Sequence, residues 1–336
     1  MKRLALNCIL VIALNGLSTA SISAQEAPFE KVLSSTVWVE YVQGTQTKIG
    51  TGSLIDREQR LVVTCQHVMH DQKQANIYFP MWNKFGLMVN GLDYLRSKNG
   101  ITGRVVATDD DRDLAILQLD RLPANVQALD MADKAPPAGT PIFLVGNSTP
   151  GAKTIADVRL WQQYSTKISR LAYSTQKLEN EGMKQVHTWA IEIEALVSSG
   201  DSGGPVVDAD GRLAGVTFAQ NGKHGYAVDV EEVRIILDRY RHGKDPAPKN
   251  SMTGQWTVEV QPKDKPAGYF RMSFQDNGKL EWITNKSYSG KYELKDNRLT
   301  LNIPALKVNE TLPINRTGNN QITFTSSGVP FTLTRR

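Results

Sequence analysis

Ser198-Ser199-Gly200-Asp201-Ser202-Gly203-Gly204-Pro205 is a glycine-rich stretch that presents one serine, Ser202, between residues small enough for a substrate carbonyl to reach it. Gly200 lets the backbone turn so that its N–H and that of Ser202 aim at one point, where acyl transfer would place a negative oxygen. Gly203 and Gly204 leave room behind the hydroxyl. A serine hydroxyl is a weak nucleophile at neutral pH, so this chemistry requires a general base and a group that orients it. His67, in Thr64-Cys65-Gln66-His67-Val68, is the candidate base. In the acidic cluster Asp109-Asp110-Asp111-Arg112-Asp113 the first three aspartates read as solvated loop charges. Asp113 differs because it abuts the apolar run Leu114 to Leu119, where its carboxylate could be held against an imidazole and fix the tautomer needed for base catalysis. Its plainer role would be a turn cap.

The elements that must position these residues read as short strands. Val37-Trp38-Val39, Gly50 to Asp56, Leu61 to Thr64 and Leu114 to Leu119 are rich in β-branched residues and bounded by turn formers, the pattern of an all-β half-barrel. Gly50-x-Gly52 is followed by no helical pattern, so it marks a strand bend rather than a phosphate loop. Ile77-Tyr78-Phe79 is strand-like, and Met81 to Asn99 reads as a long surface loop. Asp229-x-x-Glu232 predicts a capping box before a helix whose Val233, Ile236, Leu237 and Tyr240 share one face, ending at Gly243.

The order His67, Asp113, Ser202 and the local motifs Thr64-x-x-His67-Val68, Asp113-Leu114-Ala115, Gly200 to Pro205 and Gly211-x-Leu213-x-Gly215-Val216 resemble the trypsin-like serine peptidases, most closely the bacterial high-temperature-requirement type. The resemblance covers roughly residues 30 to 242. It implies two packed six-stranded antiparallel β-barrels with the site between them, His67 as general base, Asp113 as its orienting carboxylate, Ser202 as nucleophile, and the N–H groups of Gly200 and Ser202 as oxyanion hole. It also places Leu196, six residues before the nucleophile, at the floor of the pocket for the side chain preceding the cut, with Phe218, Ala219 and Gln220 along the wall. Two departures stand out. Nothing near residue 25 resembles a processed Ile-Val-Gly-Gly start, so Asp201 has no evident terminal ammonium to pair with. Cys65 lacks a partner cysteine and reads as a small buried apolar residue.

At the start of the chain, basic Lys2 and Arg3, an apolar run from Leu4 to Leu17 and small residues ending at Ala20 and Ala24 form a secretory signal peptide over residues 1–24, with cleavage after Ala20 or Ala24. Its core is too short to span a bilayer, so no stable membrane anchor is expected after cleavage. Removal leaves Cys65 as the only cysteine, which excludes an intramolecular disulfide. Roughly 310 residues then remain, enough for two or three cores. The formal net charge of the whole chain is +5, and the basicity lies from Ser251 onward, where 12 Lys and Arg face 7 Asp and Glu. No basic run or basic helix supports a nucleic-acid partner.

The expectation is therefore an all-β chain: a trypsin-like double antiparallel β-barrel domain over residues 25–243, with barrels at about 25–138 and 139–243 and a closing helix, then a linker at 244–252. A small antiparallel β-barrel or meander follows at 253–336, its Gly254-x-Trp256 opening similar to a lipocalin. Asn277-Gly278 and Asp296-Asn297 are its hairpin turns. The function expected is an exported, periplasmic or secreted serine endopeptidase acting on protein or peptide substrates without metal or organic cofactor, residues 251–336 being dispensable for the chemistry. The alternative is a catalytically idle trypsin-fold protein that binds through its C-terminal β domain, whose ligand the sequence leaves unknown.

Overall fold

The computed structural model describes residues 23–178, 184–243, 251–284, 286–317 and 320–336. The signal-peptide residues 1–22 and the linker residues 244–250 lie outside them. Helix α1 (Ser23–Ser35) leads into strands β1 (Thr36–Gln43), β2 (Gln46–Asp56) and β3 (Leu61–Cys65), then the one-turn helix α2 (Gln66–Met69) and β4 (Gln74–Tyr78). A small hairpin, β5 (Trp82–Asn83) and β6 (Gly86–Leu87), and helix α3 (Gly91–Ser97) precede β7 (Ile101–Asp109) and β8 (Leu114–Leu119). The six longer strands close into an antiparallel barrel in the order β1-β2-β3-β8-β7-β4. Its core is built from alternate β-branched and leucine side chains such as Val37, Leu54, Val63, Ile77 and Leu117, as the period of two requires.

A second closed barrel, in the order β10-β11-β14-β13-β12-β9, is made by β9 (Pro141–Gly146), β10 (Gln162–Leu178), β11 (Lys184–Ile193), β12 (Pro205–Val207), β13 (Leu213–Gln220) and β14 (Gly225–Asp229). Helix α4 (Val230–His242) closes it. Asp229 caps this helix through a hydrogen bond from Glu231 N to its carboxylate (3.3 Å). Glu232 does not complete the expected capping box, because its two oxygens are taken by Arg112 and Arg336. Val233, Ile236 and Leu237 are buried as predicted, in the cluster that fills the space between the barrels. Among the described residues no helix is long and apolar enough to cross a membrane.

Met81 to Asn99 is not a loose surface loop. It folds as the β5–β6 hairpin and α3, because Tyr94 is fully buried beside Trp38, Tyr78 and Trp161. Tyr94 contacts these rings edge-on or nearly so, with centroids 6.3, 6.1 and 5.8 Å away, each contact of this kind adding about 0.5–1.5 kcal/mol beyond area burial. Its hydroxyl accepts from Met81 N and donates to Met88 O, which pins the base of the hairpin. These partners come from both barrels, beyond the reach of local periodicity. Likewise Asp109 is buried rather than solvated, held by Arg112 and Arg239.

The remaining strands are β15 (Gly254–Val260), β16 (Gly268–Phe274), β17 (Lys279–Ile283), β18 (Ser287–Lys295), β19 (Arg298–Ile303), β20 (Val308–Pro313), β21 (Asn315–Thr317), β22 (Gln321–Ser326) and β23 (Val329–Arg335). They form a nine-stranded antiparallel meander, with β23 inserted beside β15. Among the described residues its strand ladder does not close into a barrel. Asp296 and Asn297 both have positive φ (50° and 56°), as a two-residue hairpin of the mirror-image type demands.

This sheet is docked on the second barrel and α4. Arg271, only 2% exposed in its side chain, forms ion pairs with Asp229 and Glu231 and lies over the Trp189 ring at 4.5 Å. Trp189 Nε1 donates to Thr257 Oγ1 (3.1 Å), and Tyr173 stacks on Tyr269 at 4.7 Å. Burial and the like charge of Arg336 lower the Arg271 pKa to about 10 against the pull of Asp229, which still leaves the guanidinium charged at neutral pH. Removing one partner of a buried pair strands the other charge, so Arg271→Ala is expected to cost roughly 3–5 kcal/mol, read as a lowered urea midpoint. An unchanged midpoint would mean that the sheet contributes nothing to the stability of the barrels.

Candidate functional site

Strand β3 carries the chain to Cys65, and α2 then turns His67 back across the face between the barrels. The β7–β8 turn brings Asp113 to it from the other side. Asp113 Oδ2 lies 2.6 Å from His67 Nδ1, and Asp113 Oδ1 accepts from His67 N at 2.9 Å. The Asp113 side chain is fully buried and that of His67 is 16% exposed. A carboxylate accepts, so the contact sets the ring proton on Nδ1 and leaves Nε2 facing outward as an acceptor. Asp113 adopts φ 56°, a left-handed backbone that costs a non-glycine residue about 1–2 kcal/mol. The two bonds to its carboxylate and a third from Gln66 N to its carbonyl (3.1 Å) offset that cost.

Ser202 stands on the second barrel, in the turn between β11 and β12. Asp201 N donates to Ser198 O (3.0 Å), and Gly200 between them has φ 102°, the turn geometry that requires glycine at its third position. Thr51 of β2 clamps this turn from the first barrel. Its N–H donates to Ser202 O (2.8 Å) and its hydroxyl to Gly200 O (2.6 Å). At Gly203, with φ 87°, a Cβ would collide with Thr51 O and the Thr64 hydroxyl, so no larger residue fits. Among the described residues the N–H groups of Gly200 and Ser202 have no protein acceptor. The structure brings His67 and Asp113 into contact, and holds Ser202 half-buried on the facing turn with no hydrogen bond from its hydroxyl to the imidazole.

Asp201, which the sequence leaves without an ammonium partner, is 3% exposed and is solvated instead by Ser148 N (3.2 Å), Ser148 Oγ (2.8 Å) and Ser198 N (2.9 Å). Burial holds its pKa above the usual carboxylate value, against these three donors. Asn147, beside Ser148, completes the frame. It is fully buried, donates to Val37 O and Thr51 Oγ1, and accepts from Trp161 N. Thr51, Asn147, Ser148 and Thr217 carry no chemical signature of their own, and sequence reasoning passed over them.

The pocket residues need correction. Leu196 is 53% exposed, so it does not form a buried floor. Phe218 is 2% exposed and packs on Tyr226 in the core between the barrels, Ala219 is half-buried and Gln220 exposed. None of the four lines the nearby cavity of about 220 Å³, whose walls include Arg170, Ser174, Glu192 and Tyr226. β13 is buried continuously from Leu213 through Phe218, and its register shifts between Thr217 and Ala219, so Phe218 lies inside with its neighbours rather than along a pocket wall. Cys65, His67 and Asp113 place sulfur, nitrogen and oxygen atoms within 4.8 Å of one another, a spacing that suits a metal. The imidazole and carboxylate are already spent on each other, and Cys65 Sγ donates to Thr217 O (3.1 Å), so this geometry serves proton transfer better than cation binding.

Two six-stranded barrels, one bearing His67 and Asp113 and the other Ser202, define the trypsin-like peptidase fold, and residues 50–216 match the family model of the trypsin-like peptidase domain. The chain belongs to the trypsin-like serine peptidases, with HtrA-like proteins as its relatives. It is 24% identical over 206 residues to a serine protease HtrA-like of Staphylococcus epidermidis, covering 59% of this chain and 32% of that protein. With serine protease HTRA1B of Danio rerio it shares 22% identity over 229 residues, 64% of this chain and 42% of the other. The chain thus spans well under half the length of these relatives. Among solved structures, the active form of the Rv3671c protease from M. tuberculosis superimposes with a TM-score of 0.50 at 20% identity, over 73% of this chain and 96% of that one.

The raised pKa of Asp201 gives a pH test. The folded state binds this proton more tightly than the unfolded chain, so stability from this group falls as pH rises from the unfolded carboxylate value, about 3.9, through the higher folded one. Asp201→Asn never ionises. Its stability relative to wild type is therefore expected to improve between pH 4 and pH 7 in paired urea titrations. A constant difference would show that Asp201 carries no burial penalty.

Proposed function

We propose that this chain is an exported serine endopeptidase in which Ser202 is the nucleophile, His67 the general base and Asp113 its orienting carboxylate. The 2.6 Å contact between Asp113 and His67 Nδ1, facing the glycine turn that bears Ser202, carries this reading. Ser202 Oγ attacks the scissile carbonyl carbon while its proton passes to His67 Nε2. The C–O bond that forms leaves a negative oxygen, which the N–H groups of Gly200 and Ser202 are free to receive. Collapse breaks the C–N bond, and the leaving amine takes the proton from His67. Water then attacks the acyl ester with His67 again as base, releasing the acid and restoring Ser202. These steps need no metal or organic cofactor. Export rests on the basic, apolar and small-residue pattern of Met1 to Ala24. Protein or peptide substrates follow from the family.

The missing hydrogen bond between Ser202 and His67 favours the rival reading, a catalytically idle binding protein acting through the C-terminal sheet. Fluorophosphonate labelling of the purified full chain separates the two. The expected result is stoichiometric labelling at Ser202, with casein hydrolysis reduced at least about 10⁴-fold in Ser202→Ala. A folded wild-type protein that takes no label would establish the idle reading.

For specificity we propose an apolar residue before the scissile bond, resting on the exposed side chain of Leu196. Such a contact removes apolar surface of both partners from water at about 25 cal/mol per Å², a gain that an ammonium or guanidinium head does not share. Peptide-library profiling is expected to return Val, Leu, Ala or Met ahead of Phe and Trp. A dominant Arg or Lys preference would exclude Leu196 as the determinant.

A further inference from the structure

The C-terminal sheet reaches toward the candidate site through a chain of buried charges. Arg112 directly precedes Asp113 and points away from His67. Its backbone N donates to Asp109 Oδ1 (3.1 Å), its guanidinium pairs with Asp109 Oδ2 (2.8 Å), and its Nε donates to Glu232 Oε2 of α4 (2.6 Å). The other oxygen of Glu232 is bound by Arg336, the residue that follows β23. Asp109 is bound in turn by Arg239 of α4 at 2.7 Å. Side-chain exposure is 12% for Arg112, 6% for Asp109, and 2% for both Glu232 and Arg336. The β7–β8 turn is thus tethered at two points to a helix whose nearer acid is itself neutralised from the sheet.

We propose that Arg112 is a positioning residue for Asp113, and that Arg336 of the C-terminal sheet supports it by holding Glu232 in place. The proposal rests on the peptidase reading of His67, Asp113 and Ser202. The Arg112–Asp113 peptide sets the direction of the Asp113 side chain, and left-handed φ at Asp113 persists only where neighbours over-determine it. If Arg112 lets go of Glu232 and Asp109, rotation about that peptide swings Oδ1 and Oδ2 off His67 N and Nδ1. The imidazole then loses its orientation while the turn that bears Ser202, held separately by Thr51, stays as it was. A loss in kcat with little change in KM is the signature of that arrangement, and on this proposal Arg336 contributes to the rate, where the sequence led to the expectation that residues 251–336 are dispensable for the chemistry.

The test is a set of double-mutant cycles in the full chain, with a fluorogenic peptide and with circular dichroism to verify folding. Arg112→Met is expected to lower kcat about 10- to 100-fold, the scale that small misplacement of a catalytic group produces, with KM within about twofold. Arg112→Lys, which keeps the charge but loses the fork, is expected to recover part of the loss. Arg336→Met is expected to lower kcat several-fold. Both Met variants are expected to have no further effect when added to Asp113→Ala, because they act only through that carboxylate. A folded Arg112→Met with wild-type kcat, or a loss that adds in full on Asp113→Ala, would overturn the proposal. Should Arg112→Met fail to fold, the cycle of Arg336→Met with Asp113→Ala decides by the same criteria. Failure of the underlying reading looks different: Asp113→Ala or Ser202→Ala alone would then retain full kcat.

Discussion

A buried carboxylate must be solvated by donors from somewhere other than water, and in this molecule the requirement ties the site together. Asp113 and Asp201 are both buried, and neither is matched with a lysine or arginine. Asp113 is satisfied by the N–H and the ring of His67, Asp201 by two backbone amides and a serine hydroxyl. Each set of donors can be supplied only by a loop in one conformation. The carboxylates therefore dictate where α2 turns after β3 and how the Ser198–Ser202 turn sits on the strand ending at Gly146, where a Cβ would strike Asp201. Remove the buried charge and the loops lose the reason for their shape.

The inter-barrel contacts obey the same logic with neutral groups. Thr51 gives both its amide and its hydroxyl to carbonyls of the nucleophile turn, and Asn147 satisfies Thr51, Val37 and Trp161 at once. Asn147 also heads an Asn-x-Thr sequon, yet it is inaccessible to any modifying enzyme. A small hydroxyl and a single amide thus do what a larger ion pair would do elsewhere, without the desolvation penalty of two charges.

Much of this was legible in the sequence, and the limits have physical causes. Strand alternation and turn residues gave the first half-barrel, the closing helix and the all-β character of the C-terminal domain, because these signals are local, whereas the second barrel came from the family resemblance. Ser202, His67 and Asp113 stood out because few other roles call for those neighbours. Met81 to Asn99 misread as loop because its order comes from Tyr94 packing among rings of distant elements. Glu232 sat at the right spacing for a capping box, and the competition it lost to was with Arg112 and Arg336, about 100 residues away on either side. Leu196 fell at the right distance from Ser202, but exposure depends on how neighbouring strands curve, which counting residues does not disclose.

The hydrogen bond from the Thr51 hydroxyl to Gly200 O joins residues 149 apart in sequence. Contacts of such separation form only after the intervening chain has been gathered in, since the entropy of closing so long a loop must first be met by other contacts. Here that means both barrels and their interface. The nucleophile turn consequently takes its final shape at the end of folding rather than at the beginning. For a chain that would cut polypeptides, a partly folded molecule is harmless to its own kind: while unfolded copies are still present as targets, the incomplete ones have no assembled site with which to attack them.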